Sequence, residues 1–343
     1  MNLADLNKVA LALVAPGKGI LAADESSGTI KKRFDAINVA STEESRRDYR
    51  EMLFRSSEAM TRCISGVILY DETIWQNARD GTPLIKIIEQ SGAIPGIKVD
   101  EGTQALPNCP GELVTVGLDK LAERLKKYYD QGARFAKWRA VIDIDKDRIP
   151  SMTAIYVNAH ALARYAALCQ AAQIVPIVEP EVLMDGGHDI DRCYEVSQRV
   201  LDKTFQELRG QRVALEGMIL KPNMAVSGKK SSSQASVEEV EEKTIRLLKN
   251  SVPAAVPGIA FLSGGQSDQE ATAHLNAMNR IGGLPWRLTF SYGRALQAAP
   301  QKAWSGKAEN VAAGQRAFTH RARMNALASR GEWKADLEEK KAA

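Results

Sequence analysis

The sequence predicts an α/β protein folded as a single (β/α)8 TIM barrel, with parallel strands and an outer layer of helices. Eight short apolar runs recur along the chain, and longer stretches with helical signals separate them. The length of 343 residues lies within the range of one large barrel, and the units follow one another without a linker-like segment. We therefore expect residues 1–343 to form one domain.

The eight predicted strands are apolar runs that lead into polar or charged residues. Near-continuous apolar runs are typical of parallel strands, because helices cover both faces of such a sheet. In chain order the runs are GILAADES (19–26), GVILYDET (66–73), IPGIKVD (94–100), ARFAKWRAV (133–141), IVPIVEPEV (174–182), LEGMILKPN (215–223), IAFLSGGQS (259–267) and WRLTFSYG (286–293).

Helix signals lie between these runs. Ser41 with Glu44, and Ser267 with Glu270, have the spacing of capping boxes. Helical spacing is kept by two further sets, Ala161, Tyr165, Leu168 and Ala172, and Val240, Thr244, Leu247 and Leu248. Two segments fall outside the pattern. The polar stretch 228–236 predicts a long, flexible loop after the sixth strand, and the charged stretch 331–343 predicts a loosely ordered tail.

The composition excludes several classes of protein. A net charge of +4 without a basic stripe argues against a nucleic-acid partner, but it fits an anionic small-molecule substrate. No apolar stretch is long enough to cross a membrane, so we expect no membrane partner. The scattered cysteines predict reduced thiols and a cytoplasmic location; they are Cys63, Cys109, Cys169 and Cys193.

Polar side chains occupy the carboxyl ends of the predicted strands, where barrel enzymes carry their active sites. Residues two apart in a strand point to the same side, so several of these side chains form pairs on one face. The pairs are Asp24 with Ser26, Lys98 with Asp100, Lys137 with Arg139, and Glu179 with Glu181; Lys221, Ser263 and Ser291 complete the ring. Taken singly, a lysine in an apolar run is better explained as a snorkelling lysine, and Lys137 or Glu179 as a member of an internal ion pair. Their convergence on one barrel mouth favours a functional pocket.

A second signal concerns the loops after strands seven and eight, which often bind phosphate in such barrels. They read LSGGQS (262–267) and SYGRAL (291–296). Gly264, Gly265 and Gly293 permit close backbone approach, and Arg294 offers a fork of hydrogen-bond donors. Glycine-rich loops also serve as plain turns, but two of them at both expected positions favour a phosphate site.

Lys221 stands in the apolar run GMILKPNMAV (217–226), where a charged amine is costly to bury. A desolvated lysine near other cations loses its proton more easily and becomes an amine nucleophile. Such an amine attacks a ketone to give a Schiff base, which acts as an electron sink for carbon–carbon cleavage. We expect Glu179 to move the protons of this step and Glu181 to tune it.

The motifs LAADESSGTI, GIKVDEG, FAKWRAVI, IVEPEVLMDGGHD, LEGMILKPNMA, FLSGGQS and FSYGRALQ resemble the signature segments of class I fructose-bisphosphate aldolases. The resemblance runs from about residue 3 to about residue 330. It implies reversible cleavage of D-fructose 1,6-bisphosphate to dihydroxyacetone phosphate and D-glyceraldehyde 3-phosphate, in glycolysis and gluconeogenesis. It also implies that the protein needs no metal and no cofactor and forms a homotetramer.

The resemblance assigns roles to matching residues. Lys221 would be the Schiff-base lysine, Glu179 the main acid and base, and Glu181 its assistant. Asp24 would engage the C4 hydroxyl, and Lys137 would stabilise developing charge with Arg139 nearby. The C1 phosphate would be held by Ser263, Gly264, Gly293 and Arg294, with Gly265 and Ser291 beside them. The side that receives the C6 phosphate would be lined by Ser26, Thr29, Lys32, Arg33 and Lys98.

The chain departs from the family pattern at two places. Thr29 stands where the family has serine, which keeps the hydroxyl. Many eukaryotic members end in a tyrosine that assists proton exchange on the enamine, whereas this sequence ends in EEKKAA and its last tyrosine is Tyr292. We expect either that another group or water takes over that proton transfer or that the step is slower in this chain.

Two alternatives stay open at this stage. One is another Schiff-base barrel enzyme that acts on a monophosphate or transfers a dihydroxyacetone unit, which should need fewer cations on the C6 side. The other is a catalytically silent barrel that binds acidic partners, although such a barrel usually loses a catalytic group.

Overall fold

The computed structural model describes residues 2–145 and 148–339. Its centre is a closed barrel of parallel strands, in the spatial order β1-β10-β9-β8-β7-β6-β3-β2. The barrel strands are β1 (Gly19–Ala23), β2 (Ile64–Leu69), β3 (Ile94–Lys98), β6 (Phe135–Ile142), β7 (Val175–Val182), β8 (Ile219–Leu220), β9 (Gly258–Phe261) and β10 (Arg287–Tyr292); β4 (Thr103–Ala105) and β5 (Leu113–Thr115) form an antiparallel hairpin outside it.

The α-helices pack mainly around this barrel and connect its strands. They are α1 (Leu3–Leu13), α2 (Ser27–Asp35), α3 (Glu43–Phe54), α4 (Ser57–Arg62), α5 (Asp71–Ile74), α6 (Leu84–Gln90), α7 (Leu121–Gln131), α8 (Met152–Ala171), α9 (Ile190–Gly210), α10 (Val237–Ser251), α11 (Asp268–Ile281), α12 (Arg294–Trp304) and α13 (Val311–Ala328). In the part of the chain that the structure describes, no helix has both the length and the apolar character needed to cross a bilayer.

All eight predicted barrel strands are confirmed, but their bounds differ. The sixth run, predicted over 215–223, keeps only Ile219–Leu220 as strand, because Leu215–Gly217 forms a 3-10 turn. Pro222 follows Lys221 and lacks the N–H that would continue the ladder. The sequence did not predict the β4–β5 hairpin.

Helix α1 closes the amino end of the barrel with an apolar plug. Its Leu6 and Leu13 belong to a buried cluster with Phe135 and other inward-facing strand residues. The ring of Phe135 needs the absence of a side chain at Gly96, where a Cβ would lie 2.3 Å from it. The barrel bottom is therefore a close-packed core, and the polar site lies at the other end.

The two predicted capping boxes had different outcomes. Ser267 and Glu270 form the expected box at the start of α11. The Ser41–Glu44 box is wrong, since Thr42 is the N-cap of α3 and pairs with Ser45. The helix begins one residue later than expected because the Ser45 hydroxyl accepts the Thr42 N–H at 2.9 Å.

The described part of the C-terminal segment is held against the body. The backbone N–H of Trp333 donates to Asn276 at 2.9 Å, and Glu338 pairs with buried Arg321 and with His320. The predicted loose tail therefore does not begin at residue 331. Its last four positions, 340–343, lie outside the described residues.

Candidate active site

The carboxyl ends of the strands surround a cavity of about 1160 Å³. Most of the predicted site residues line it: Asp24, Ser26, Thr29, Arg33, Lys98, Lys137, Arg139, Glu179, Glu181, Lys221, Ser263, Gly264, Ser291, Gly293 and Arg294. The predicted convergence of strand-end side chains is thus found in the fold. Two predicted residues, Lys32 and Gly265, lie outside the cavity lining.

Lys221 follows directly on the two-residue strand β8. Its backbone N–H donates to the carbonyl of Val178 at 2.8 Å, which keeps it level with Glu179 on the neighbouring strand β7. The Lys221 Nζ lies 3.1 Å from Oε1 of Glu179, and both side chains are about 95% buried. A proton can therefore pass directly between the amine and the carboxylate.

Lys137 is the centre of the charge network. Its Nζ lies 2.7 Å from Oδ2 of Asp24, 3.5 Å from Oε2 of Glu179 and 3.8 Å from Oδ2 of Asp100. Burial alone would lower the pKa of Lys137, but these three carboxylates together raise it well above its usual value. Lys137 is therefore a fixed cation, positioned beside the Lys221–Glu179 pair.

Asp24 is an ionised carboxylate at neutral pH. Burial would raise its pKa, but the nearby charges of Lys137 and Lys221 outweigh burial and lower the pKa to about 2. An ionised carboxylate in this position can accept a proton or orient a hydroxyl group.

Arg139 and Glu181 form a second pair, one step further along strands β6 and β7. The Nε of Arg139 donates to Oε2 of Glu181. Burial would lower the pKa of Arg139, but the charge of Glu181 raises it above its usual value. This pair lines the same cavity as Lys221 and supports the expected position of Glu181 beside Glu179.

Residues predicted for the C6 side come from strand β3 and from the start of α2. Ser26 caps α2, and its hydroxyl lies 3.1 Å from that of Thr29. Arg33 pairs with Glu25, and Lys98 pairs with Asp100 at 2.7 Å. Lys32 was expected here, but it is exposed and does not line the cavity, since the residues that neighbour Arg33 on a helix face other directions.

Residues predicted for the C1 side come from the loop after β9 and from the start of α12. Gly293, which has no side chain, is the N-cap of α12, so the first N–H groups of that helix face the cavity mouth. Arg294 donates to the carbonyl of Gly264. Gly265 lies behind this surface, where its N–H donates to the sulfur of Met184 at 2.9 Å.

Sequence reasoning did not assign Glu25 and Asp185 to the site, although both line the cavity, as does Asp100, which it had paired with Lys98. Glu25 is buried and accepts hydrogen bonds from Arg33 and from Gln297, the latter at 2.7 Å. Each follows or lies near a predicted site residue in the chain, but an acidic residue beside a motif does not by itself show which way it faces.

The closed parallel barrel thus places a buried lysine, a contacting carboxylate and a fixed cation at its carboxyl end, where barrel enzymes carry their active sites. The family profile "Fructose-bisphosphate aldolase class-I" matches residues 5–343. The chain therefore belongs to the class I fructose-bisphosphate aldolase family, whose members are lyases.

Individual relatives agree with this assignment. A protein from Xanthomonas campestris named "Probable fructose-bisphosphate aldolase class 1" is 56% identical, over 97% of this chain and 100% of its own. "Fructose-bisphosphate aldolase 1" of Toxoplasma gondii is 52% identical over 96% of this chain and 91% of its own. A solved structure of the Plasmodium falciparum aldolase, in complex with TRAP and an inhibitor, superposes with a TM-score of 0.94 at 47% identity and covers 97% of this chain and 96% of that one.

Proposed function

We propose that this chain cleaves D-fructose 1,6-bisphosphate reversibly to dihydroxyacetone phosphate and D-glyceraldehyde 3-phosphate through a Schiff base on Lys221. The observation that supports it most directly is the contact of the buried Lys221 amine with Glu179, beside the fixed cation Lys137. Together they supply a nucleophile, a proton carrier and a stabilising charge.

The first stage is imine formation. Glu179 takes a proton from Lys221, and the neutral amine attacks the C2 ketone of the substrate. Loss of water from the carbinolamine needs a proton on the leaving oxygen, and Glu179 can return the one it took. Lys137 stabilises the negative charge that develops on that oxygen, since its own pKa is raised by the surrounding carboxylates.

The second stage is cleavage of the bond between C3 and C4. Asp24 accepts the proton of the C4 hydroxyl as the C4 carbonyl forms, and the electron pair of the broken bond moves into the iminium to give an enamine. The lowered pKa of Asp24 keeps it ionised and ready to orient that hydroxyl. Glyceraldehyde 3-phosphate then leaves.

The third stage is protonation of the enamine at C3 and hydrolysis of the imine. Tyr292 does not serve as the acid, because it is buried and its hydroxyl donates to the carbonyl of Ala271 at 2.9 Å. The proton that Asp24 took in the cleavage step can be relayed to C3 through Glu179 or a water molecule, since both carboxylates contact Lys137 and Glu179 lies beside Lys221. Addition of water to the iminium then releases dihydroxyacetone phosphate and restores the lysine.

We assign the two ends of the substrate to the two groups of residues described above. The N-terminus of α12, with Ser263, Gly264 and Arg294, would hold the C1 phosphate. Arg33 and Lys98, with the hydroxyls of Ser26 and Thr29, would receive the C6 phosphate. Two cations on that side favour a bisphosphate over a monophosphate, and turnover of fructose 1-phosphate beside the bisphosphate tests this preference.

The mechanism is tested by trapping the imine. The protein is incubated with fructose 1,6-bisphosphate and excess chelator, reduced with borohydride, and digested for mass spectrometry. We expect a reduced adduct on Lys221, cleavage activity that survives the chelator, and no adduct or activity in Lys221→Met. An adduct on a different lysine, or its absence from the folded wild-type protein, would refute the proposed mechanism.

We further propose a metal-independent enzyme that acts in the cytoplasm as a homotetramer. The iminium supplies the electron sink for which a metal would otherwise be needed. Helix α8 presents Met152 (57% exposed) and Tyr156 (48% exposed), which supports a protein contact on that surface. Light scattering of Met152→Glu beside wild type tests the assembly, and a smaller mass for the variant is expected.

A further inference from the structure

Three loops meet at one side of the barrel mouth: 183–189 after β7, 221–236 after β8, and 262–267 after β9. Backbone hydrogen bonds tie the second loop to the first, since the N–H groups of Gly228, Lys229 and Lys230 donate to the carbonyls of His188, Met184 and Gly186 at 2.8, 2.8 and 2.9 Å. The backbone of Lys229 is thereby fixed beside the loop after β7, whose Asp185 lines the cavity. Its side chain is 43% exposed and pairs with Asp185, which is 61% exposed.

The Lys229 side chain lies against the loop that we assign to the C1 phosphate. A Cβ placed on Gly265 would come within 2.0 Å of Cε and 2.8 Å of Nζ of Lys229. The Nζ itself lies 2.8 Å from Oδ1 of Asp185, which lines the active-site cavity. This ammonium group is therefore next to the proposed phosphate site, although the family motifs do not include it.

In the loop after β9, the backbone N–H of Gly265 has only a weak hydrogen-bond acceptor. The N–H of Gly265 donates to the thioether sulfur of Met184 at 2.9 Å, and a Cβ on Gly264 would lie 2.1 Å from Cε of Met184. A thioether is a weak hydrogen-bond acceptor, whereas a phosphate oxygen is a strong one. The Met184 side chain and the Lys229 side chain thus both pack against this loop, and the ammonium group of Lys229 is held by Asp185 rather than by the loop.

We propose that Lys229 is an additional substrate-binding residue, which exchanges its ion pair with Asp185 for one with the C1 phosphate. This inference rests on the proposed function of the cavity. An ion pair as exposed as Lys229–Asp185 contributes little to stability, so its exchange costs little. A phosphate dianion offers more charge and more acceptor oxygens than the carboxylate does.

The test compares Lys229→Met, which keeps the stem over Gly265, with Lys230→Met, which removes a neighbouring charge. Because the C1 phosphate is common to fructose 1,6-bisphosphate and fructose 1-phosphate, we expect Lys229→Met to raise KM about fivefold to tenfold for both substrates. Its kcat should stay within about twofold of wild type, and Lys230→Met should change neither constant by more than that. An unchanged KM, a rise with the bisphosphate alone, or a loss confined to kcat would overturn the proposal.

Asp185→Asn separates direct binding from charge neutralisation. If Lys229 contacts the phosphate, Lys229→Met still raises KM in the Asp185→Asn background. If Lys229 serves only to cancel the charge of Asp185, that effect vanishes in the double variant, and the proposal fails.

A binding measurement keeps this result independent of the Schiff-base mechanism. Calorimetric titration of Lys221→Met with dihydroxyacetone phosphate reports binding without an imine. Adding Lys229→Met should raise the Kd about fivefold to tenfold, whether or not Lys221 is the nucleophile. An equal Kd in both proteins would refute the role of Lys229, and failure to trap an imine in wild type would refute only the catalytic mechanism.

Discussion

The centre and the rim of the barrel mouth are both rich in charge, but they are built differently. In the centre, Lys221, Glu179 and Lys137 are about 95% buried and pair with one another. At the rim, Lys229 and Asp185 are 43% and 61% exposed. A buried charge cannot lose its partner without a large cost, whereas an exposed ion pair is easily exchanged. In the proposed mechanism the centre carries the chemistry, and the rim binds an anion that can be replaced.

The largest effect is expected from Glu179→Gln, which removes the carboxylate of the centre. This change keeps the shape but removes the group that carries protons to and from Lys221, so kcat for fructose 1,6-bisphosphate should fall about 10²- to 10⁴-fold. Steady-state kinetics and the rate of borohydride trapping measure the loss, with circular dichroism as the control for folding. A kcat within tenfold of wild type in a folded variant would show that another group carries the proton.

The next-largest effect is expected at Arg33, which lines the cavity and pairs with Glu25. Loss of a charge-assisted contact to phosphate in Arg33→Gln should raise KM for the bisphosphate about 10- to 100-fold and leave fructose 1-phosphate nearly unchanged. The matched control is Lys32→Gln on the same helix, which should change KM less than about twofold because Lys32 lies outside the cavity. Equal effects of the two changes would contradict the geometry.

Asp24→Asn tests the charge interaction of Asp24 with the lysines of the centre, measured as the free energy of unfolding. The pKa of Asp24 is lowered to about 2 in the folded protein, from an ordinary value of 3.8, so its ionised form stabilises the fold above pH 4. This contribution, about 2 kcal/mol, should be lost as the pH falls from 4 to 2. Denaturant unfolding at several pH values should show a steeper loss for wild type than for Asp24→Asn.

The contribution of Lys137 to this pH dependence of stability can be measured by replacing Lys137. Since Lys137 is the nearest cation to Asp24, the stability change that Asp24→Asn produces should be smaller in a Lys137→Met background than in wild type. If the free energy of unfolding depended on pH equally in every variant, Asp24 would not be the group responsible.

The smallest effect is expected at Thr29, where the resemblance to the family predicts serine. Its hydroxyl lies 3.1 Å from that of Ser26, and serine can place a hydroxyl in the same position. Thr29→Ser should therefore keep kcat/KM for the bisphosphate within about twofold, whereas Thr29→Val, which loses the hydroxyl, should lower it about threefold to tenfold. A loss in Thr29→Ser as large as in Thr29→Val would assign the role to the methyl group instead.

Particular elements show why parts of this fold were predictable. The β7 run IVPIVEPEV is long and apolar, and the predicted 174–182 differs from the observed Val175–Val182 by one residue. The sixth run is equally apolar but forms only two residues of strand, because a proline and a 3-10 turn interrupt it. Apolar content indicates that a segment is buried, but the hydrogen-bonding partner determines how much of it is strand.

The sequence by itself determined the barrel, its eight strands and the polar residues at their carboxyl ends, because alternation of buried strands with helices is a local pattern. It also determined that Lys221, Glu179, Lys137 and Asp24 share one mouth, since the ends of parallel strands meet there. Only the tertiary structure decided that Glu179 lies between two lysines, that Lys32 faces away, and that Lys229 packs against the loop after β9. These facts depend on distances between side chains from separate loops and helices, which no spacing along the chain fixes.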